Sequence, residues 1–177
     1  MRSKTVKRTM FLIICLVGNG IIHAQVDEYL MKVGFIERFT RFVEWPQGIN
    51  TPDSTTPFVI SVFGENPFND KLDQFFETTE IKNRKVEIRY ISELEEIQDS
   101  RVLFITNSKQ KQLSEILILT EDKPVLTVSD TEGFGKKGVR INFYIEQNKI
   151  RFEINKEAIQ KGGLQISYLL LNIAKII

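Results

Sequence analysis

The order of elements in this sequence predicts an α/β fold. It would be a single three-layer domain, a mainly parallel sheet flanked by helices, closed by a C-terminal antiparallel hairpin. Three observations carry that expectation. Between residues 58 and 129, four short runs rich in β-branched and aromatic residues alternate with helix-like segments, a Rossmann-like order of elements. The first, third and fourth runs are almost continuously apolar or β-branched, as strands covered on both faces must be. From residue 139 onward the pattern changes to strict alternation around a two-residue turn, which is the mark of a hairpin.

The chain opens on a basic stretch, Arg2, Lys4, Lys7 and Arg8, followed by an unbroken apolar run from Met10 to Val17. Ile22-His23-Ala24 ahead of Gln25 places an aliphatic residue at −3 and a small one at −1. This is the anatomy of a cleavable export signal over residues 1–24, with 25–177 as one domain and the periplasm as its destination. The apolar run is far shorter than the roughly 20 residues of a membrane-spanning helix, so no insertion is expected after cleavage. Cys15 lies inside the apolar core behind the bulky Ile14, which argues against a lipoprotein site.

That leader holds the only cysteine and the only histidine. The remaining 153 residues would therefore have neither thiol nor imidazole, which excludes a Ser-His-Asp triad, a disulfide and the usual zinc sites. Without the leader's four cations, 20 Lys+Arg stand against 23 Asp+Glu, a net charge of −3 that fits neither nucleic acid nor a membrane surface. Packing alone must hold the fold, and the 12 Phe that lie past the leader help to supply it.

Taken in order, residues 27–45 carry Leu30, Val33, Ile36, Phe39, Phe42 and Val43 on one helical face, and Pro46 stops the helix. Residues 47–57 read as a loop. Strand-like runs follow at 58–63, 86–91, 101–106 and 124–129. Between them, Asn66-Pro67 opens a helix over 68–77, Ser92 opens a short Glu-rich turn to Ile97, and Ser108 opens a helix over 109–119. Val139, Ile141, Phe143 and Ile145 alternate, Gln147-Asn148 turns the chain, and Ile150, Phe152 and Ile154 alternate back. Asn155 caps a last helix over 156–176, which Gly162-Gly163 bends or splits in two.

Reactive chemistry is sparse. The first strand exits through Gly64-Glu65-Asn66-Pro67, so the dinucleotide fingerprint and the phosphate-binding loop are both missing. Ser108-Lys109-Gln110-Lys111 spells Ser-x-x-Lys, which leaves a formal hydrolase reading on Ser108 and Lys111 beside ordinary helix capping. Glu95-Glu96 and Glu121-Asp122 are sequence neighbours, which a helix would splay by roughly 100°. No catalytic set, cofactor or metal is expected.

Recognition residues are easier to place. Asp130, Gly133 and Phe134 lie in the loop after the fourth strand, at the edge where open α/β sheets bind ligands. Phe134 either plugs the loop from below or meets a ligand or partner. Trp45 has the same two readings, core anchor or recognition residue. Lys149, Arg151, Glu153 and Asn155 share one face of the second hairpin strand, where Arg151 and Glu153 offer a donor fork and an acceptor if that face borders a groove. The candidate partner- or ligand-binding set is Asp130, Gly133, Phe134, Arg151, Glu153 and Asn155.

Several stretches, read together, resemble one family. They are KVGFI at 32–36 leading to FVEWP at 42–46, FVISVFGENPF at 58–68, VLFI at 102–105, VLTVSDTEGF at 125–134, INF at 141–143, KIRFEIN at 149–155 and GLQISYLL at 163–170. In this order and spacing they look like the YfiR/HmsC-like periplasmic proteins. The resemblance implies a non-enzymatic, homodimer-forming α/β regulator that represses a membrane-bound diguanylate cyclase by binding its periplasmic domain, and so controls biofilm formation. Disulfides carried by some members have no counterpart here. A histidine kinase sensor would serve equally well as the partner, and a periplasmic small-ligand-binding protein that uses the carboxyl edge of the sheet is the alternative reading.

Overall fold

A computed structural model describes residues 20–46 and 56–177, with side chains from residue 28 onward. Most of the expected export signal and most of the loop expected at 47–57 lie outside the described residues.

The chain forms α1 (Gly20–Phe42), β1 (Val43–Glu44), β2 (Phe58–Phe63), α2 (Lys71–Phe76), β3 (Val86–Ile91), a 3-10 turn (Leu94–Ile97) and β4 (Val102–Ile105). A second 3-10 turn (Asn107–Gln112) leads into α3 (Leu113–Thr120), β5 (Leu126–Ser129), α4 (Phe134–Lys137), β6 (Ile141–Glu146) and β7 (Lys149–Ile154). Then come α5 (Lys156–Lys161), β8 (Gln165–Ile166), α6 (Tyr168–Leu171) and β9 (Lys175–Ile176). Seven strands form one sheet in the order β3-β2-β4-β5-β6-β7-β9. It is parallel from β3 to β6, antiparallel between β6 and β7, and parallel again at β9. Gln147 and Asn148 take φ of 49° and 59°, the left-handed pair that a tight hairpin turn requires.

Each face of the sheet has its own core. On one face, α1 lays Val33, Ile36 and Phe39 over β5 to β7, and α2 lays Leu72 and Phe76 over the other end. Phe39 stacks on Phe143 at 5.5 Å and meets Phe152 edge-on at 5.0 Å, while Phe68 meets Phe104 at 4.7 Å. On the opposite face the 3-10 turns, α3 and α4 cover Phe63, Leu103 and Ile105 with Leu113, Ile116 and Phe134. No strand residue of β6, β7 or β9 belongs to this second core.

Arg140, just before β6, joins the layers. It is buried, and its guanidinium donates to the carbonyls of Thr120, Glu121, Lys123, Val125 and Ala158. The cation thus sits at the carbonyl end of α3, where the helix dipole favours positive charge. Burial pushes its pKa down to about 10.

Three elements differ from expectation. The helix expected at 68–77 shortens to α2, because Asn69 adopts φ 55° and Asn66 spends its side chain on the Phe68 amide in a local turn. The residues expected to extend α1 to Trp45 instead form β1, which pairs antiparallel with β8. The last helix ends at Lys161: Gly163 takes φ 68°, and the chain beyond it forms β8, α6 and β9.

Candidate functional site

At the carboxyl ends of β2 and β4 the strand order reverses, the place where open α/β sheets usually open a crevice. Here side chains fill it. Gly64 turns at φ 105°, and a Cβ there would lie 2.3 Å from both Thr106 Oγ1 and Ser108 Oγ. Thr106 Oγ1 donates to Phe63 O at 3.0 Å, Ser108 Oγ accepts from Glu65 N at 3.0 Å, and Lys109 Nζ donates to Ser92 O at 2.7 Å. Ser108 is therefore engaged with Thr106 and the Glu65 amide, and Lys111 is exposed.

The open face lies further along the sheet. Register places Asn142 opposite Glu153 and Tyr144 opposite Arg151, and Glu153 beside Lys175 on β9. Among the described residues, no helix beyond α4 covers the face that these side chains share. A cleft of about 520 Å³ runs there, lined by Asp130, Gly133 and Glu153 together with Lys136, Asn142 and Lys175. Glu153 is only 7% exposed, and its Oε2 lies 3.4 Å from Lys175 Nζ. A Cβ on Gly135 would stand 2.6 Å from Glu153 Oε1, so the lack of a side chain at 135 lets the carboxylate sit against the loop. Asn142 is buried, donates from Nδ2 to Thr131 O at 3.1 Å, and has no partner for Oδ1 among the described residues.

The structure brings some of the expected residues together and removes others. Asp130 reaches the cleft, but its Oδ2 accepts from Tyr29 Oη at 2.9 Å and Lys32 Nζ at 2.7 Å on α1. Burial, and then the adjacent Asp130 carboxylate, hold the Tyr29 phenol well above its ordinary value. Gly133 takes φ 80° at the entrance to α4, a conformation that favours glycine. Phe134 is a correction: it is fully buried in the second core and cannot touch a ligand or partner, because the turn at Gly133 folds it beneath the loop. Asn155 is another: its Oδ1 caps α5 as expected, accepting from Ala158 N at 2.9 Å, and its Nδ2 donates to Gly135 O of α4 at 3.0 Å, so both ends of the amide are engaged within the fold. Trp45 is buried against Phe58, at 5.5 Å edge to face, the anchor reading. Arg151 lies outside the cleft on the same open face, half exposed, with Nε 4.0 Å from Glu146 Oε2.

Sequence reasoning missed Asn142, Tyr144 and Lys175. Period-two alternation already put the first two on the face of Arg151 and Glu153. Lys175 gave no signal while its segment read as helix.

Fold and cleft together define an α/β domain whose sheet carries α1 on one face of β6 and β7 and polar side chains on the other. The YfiR/HmsC-like family profile matches residues 29–175, and the chain belongs to that family, a family of periplasmic regulators associated with diguanylate cyclases. Among solved structures, the ABC domain from Streptococcus pneumonia in complex with L-Trp is similar in fold, with a TM-score of 0.51 and 12% identity. That likeness covers 67% of this chain and 55% of the other, so this chain spans about half the length of that structure. No curated protein matches. Among the described residues, no helix is long and apolar enough to cross a membrane.

Proposed function

We propose that this protein, after export and removal of residues 1–24, acts by binding rather than by turnover. It would hold a membrane-bound diguanylate cyclase, or a related envelope sensor such as a histidine kinase, in its low-output state by docking on the periplasmic domain. The observation that carries this reading is the face of β6, β7 and β9 that no helix of the described residues covers beyond α4. Helices cover both faces of the central strands β2, β4 and β5, while this end presents Tyr144, Arg151 and Lys175 beside Glu146. Tyrosine and arginine on a rigid strand pair suit a protein interface, because little side-chain freedom is lost on contact. The mechanism is population shift: a tenfold bias of the sensor needs only about 1.4 kcal/mol of differential affinity. Homodimerisation is part of the same reading, with the exposed Tyr168, Leu169 and Ile173 as its apolar surface.

The test is calorimetric binding to the purified periplasmic domain of a membrane-bound diguanylate cyclase of the same cell, with cellular cyclic-di-GMP as the second readout. Arg151→Ala with Lys175→Ala should weaken binding at least about tenfold and raise the dinucleotide level. Unchanged affinity in the folded double variant would reject this surface. A second reading, small-ligand binding, is favoured by the cleft and the unpartnered Asn142 Oδ1. Melting curves in the presence of envelope metabolites test it, since a ligand at 100 times its Kd adds about 2.7 kcal/mol. Flat curves would count against it.

A further inference from the structure

β3 is a free edge of the sheet, and its backbone groups can be followed one by one. Phe58 N donates to Lys85 O at 2.8 Å and Gly64 N to Ile91 O at 3.1 Å, and the register between them is unbroken. In a parallel ladder, residues that bond the neighbouring strand alternate with residues that face away. Residues 85, 87, 89 and 91 therefore serve β2, and Val86, Ile88 and Tyr90 turn their N–H and C=O groups outward. Among the described residues no strand pairs with this side.

The side chains prepare the same edge. Val86 and Ile88 pack against the larger core, and with Phe76 they floor a shelf of about 400 Å³ whose rim is Asp73, Gln74 and Glu77. That lining holds two carboxylates and no cation. Tyr90 Oη donates to Asp73 Oδ2, fixing one carboxylate at the rim. On the opposite face of β3 the two charges, Glu87 and Arg89, neutralise each other at 2.7 Å. Natural edges are usually blunted by proline, a bulge, charge or a covering segment. β3 contains no proline, pairs with β2 without a bulge, and spends its charge internally.

We infer that the β3 edge takes up an extended segment of a partner protein as an added strand. An aliphatic side chain of that segment rests over Val86 and Ile88, and a lysine or arginine lies against Asp73 and Glu77. The hairpin strands lie four and five strand spacings away, about 19 and 24 Å, so this contact is independent of the one proposed above.

The test uses the full chain and labelled peptides of about eight residues, with threonine at every second position and valine alternating with lysine, or valine with glutamate, at the positions between, so that both types face the shelf. The valine-lysine peptide should bind, slow amide exchange at Val86, Ile88 and Tyr90 at least about tenfold, and outbind the glutamate peptide about tenfold. Ile88→Pro removes the central outward donor without touching the β2 ladder and should abolish binding. Glu77→Lys, an exposed change that spares the fold, should bring the two affinities together. Absence of binding, equal affinity for both peptides, or protection confined to other amides would overturn the inference. So would protection of these three amides that rises with protein concentration alone, which would assign the edge to a second copy of the chain.

Discussion

Lys32 Nζ and Asp130 Oδ2 stand 2.7 Å apart across 98 residues of sequence, and this contact fastens α1 to the carboxyl end of β5. Lys32 is 4% exposed at the side chain and also meets Glu28 at 2.6 Å. Removing one partner of a buried pair costs more than the pair itself contributes, because a desolvated charge is left behind. Asp130→Asn should therefore destabilise by about 2 kcal/mol, softened by the Glu28 that remains. Lys32→Met, which replaces the cation with an apolar chain of similar length, should cost less. Urea midpoints of the two variants check the order, and the reverse order would mean that the bridge does not hold α1.

Alkaline stability follows from the same cluster. The Tyr29 phenol is raised above its ordinary 10.0 in the folded chain, first by burial and then by Asp130. Tyr90 is raised in the same way, by burial and then by Asp73. An unfolded tyrosine releases its proton near pH 10 while the folded one keeps it. Their contribution is therefore complete below about pH 10 and lost as pH rises. Tyr29→Phe should lose about 1 kcal/mol at neutral pH with the hydrogen bond, and its stability should fall less steeply above pH 10 than that of the parent. Denaturation between pH 8 and about 11 reads both slopes, and identical slopes would contradict the assignment.

Much of the fold was legible because its signals are local. Continuous apolar runs gave β2, β4 and β5, alternation gave the hairpin, and the Gln147-Asn148 turn was readable from its residue types. β1, β8 and β9 were not, since each has two residues and exists only through its partner. The 3.6-residue spacing of Leu164, Leu169, Leu170 and Ile173 is as compatible with short broken turns as with one helix. At the site, Glu153 and Arg151 were readable from alternation. For Phe134 the plug stood beside the contact reading and for Asn155 the cap stood beside a binding role, and which of each pair holds depends on what the loop folds against.

Gly162 carries a constraint that backbone angles do not reveal. Its φ is −76°, open to any residue, yet a Cβ there would lie 1.9 Å from Arg140 Nη2 and 2.8 Å from Lys123 O. Gly162→Ala must displace the guanidinium and strand its carbonyl acceptors, which should cost about 3 kcal/mol or more. Gly163 takes φ 68°, but the nearest atom to its Cβ would be Pro46 Cγ at 3.7 Å, so Gly163→Ala should cost only about 1 kcal/mol of strain. Melting temperatures should rank Gly162→Ala well below Gly163→Ala. Equal losses would mean that Arg140 rearranges freely and is not a clasp.

Phe134 separates stability from recognition. It is fully buried among Phe63, Leu103, Ile105 and Val139, and Lys137 Nζ lies 5.6 Å from the ring centre. Phe134→Ala should cost about 3–5 kcal/mol through the cavity it leaves, and any loss of partner binding in that variant would reflect unfolding. Phe134→Leu keeps most of the volume and should cost only about 1 kcal/mol. If the ring is only a plug, this variant binds the sensor domain as the parent does, whereas Arg151→Ala weakens binding in a protein of unchanged melting temperature. A fully folded Phe134→Leu variant that fails to bind would return the aromatic to the interface.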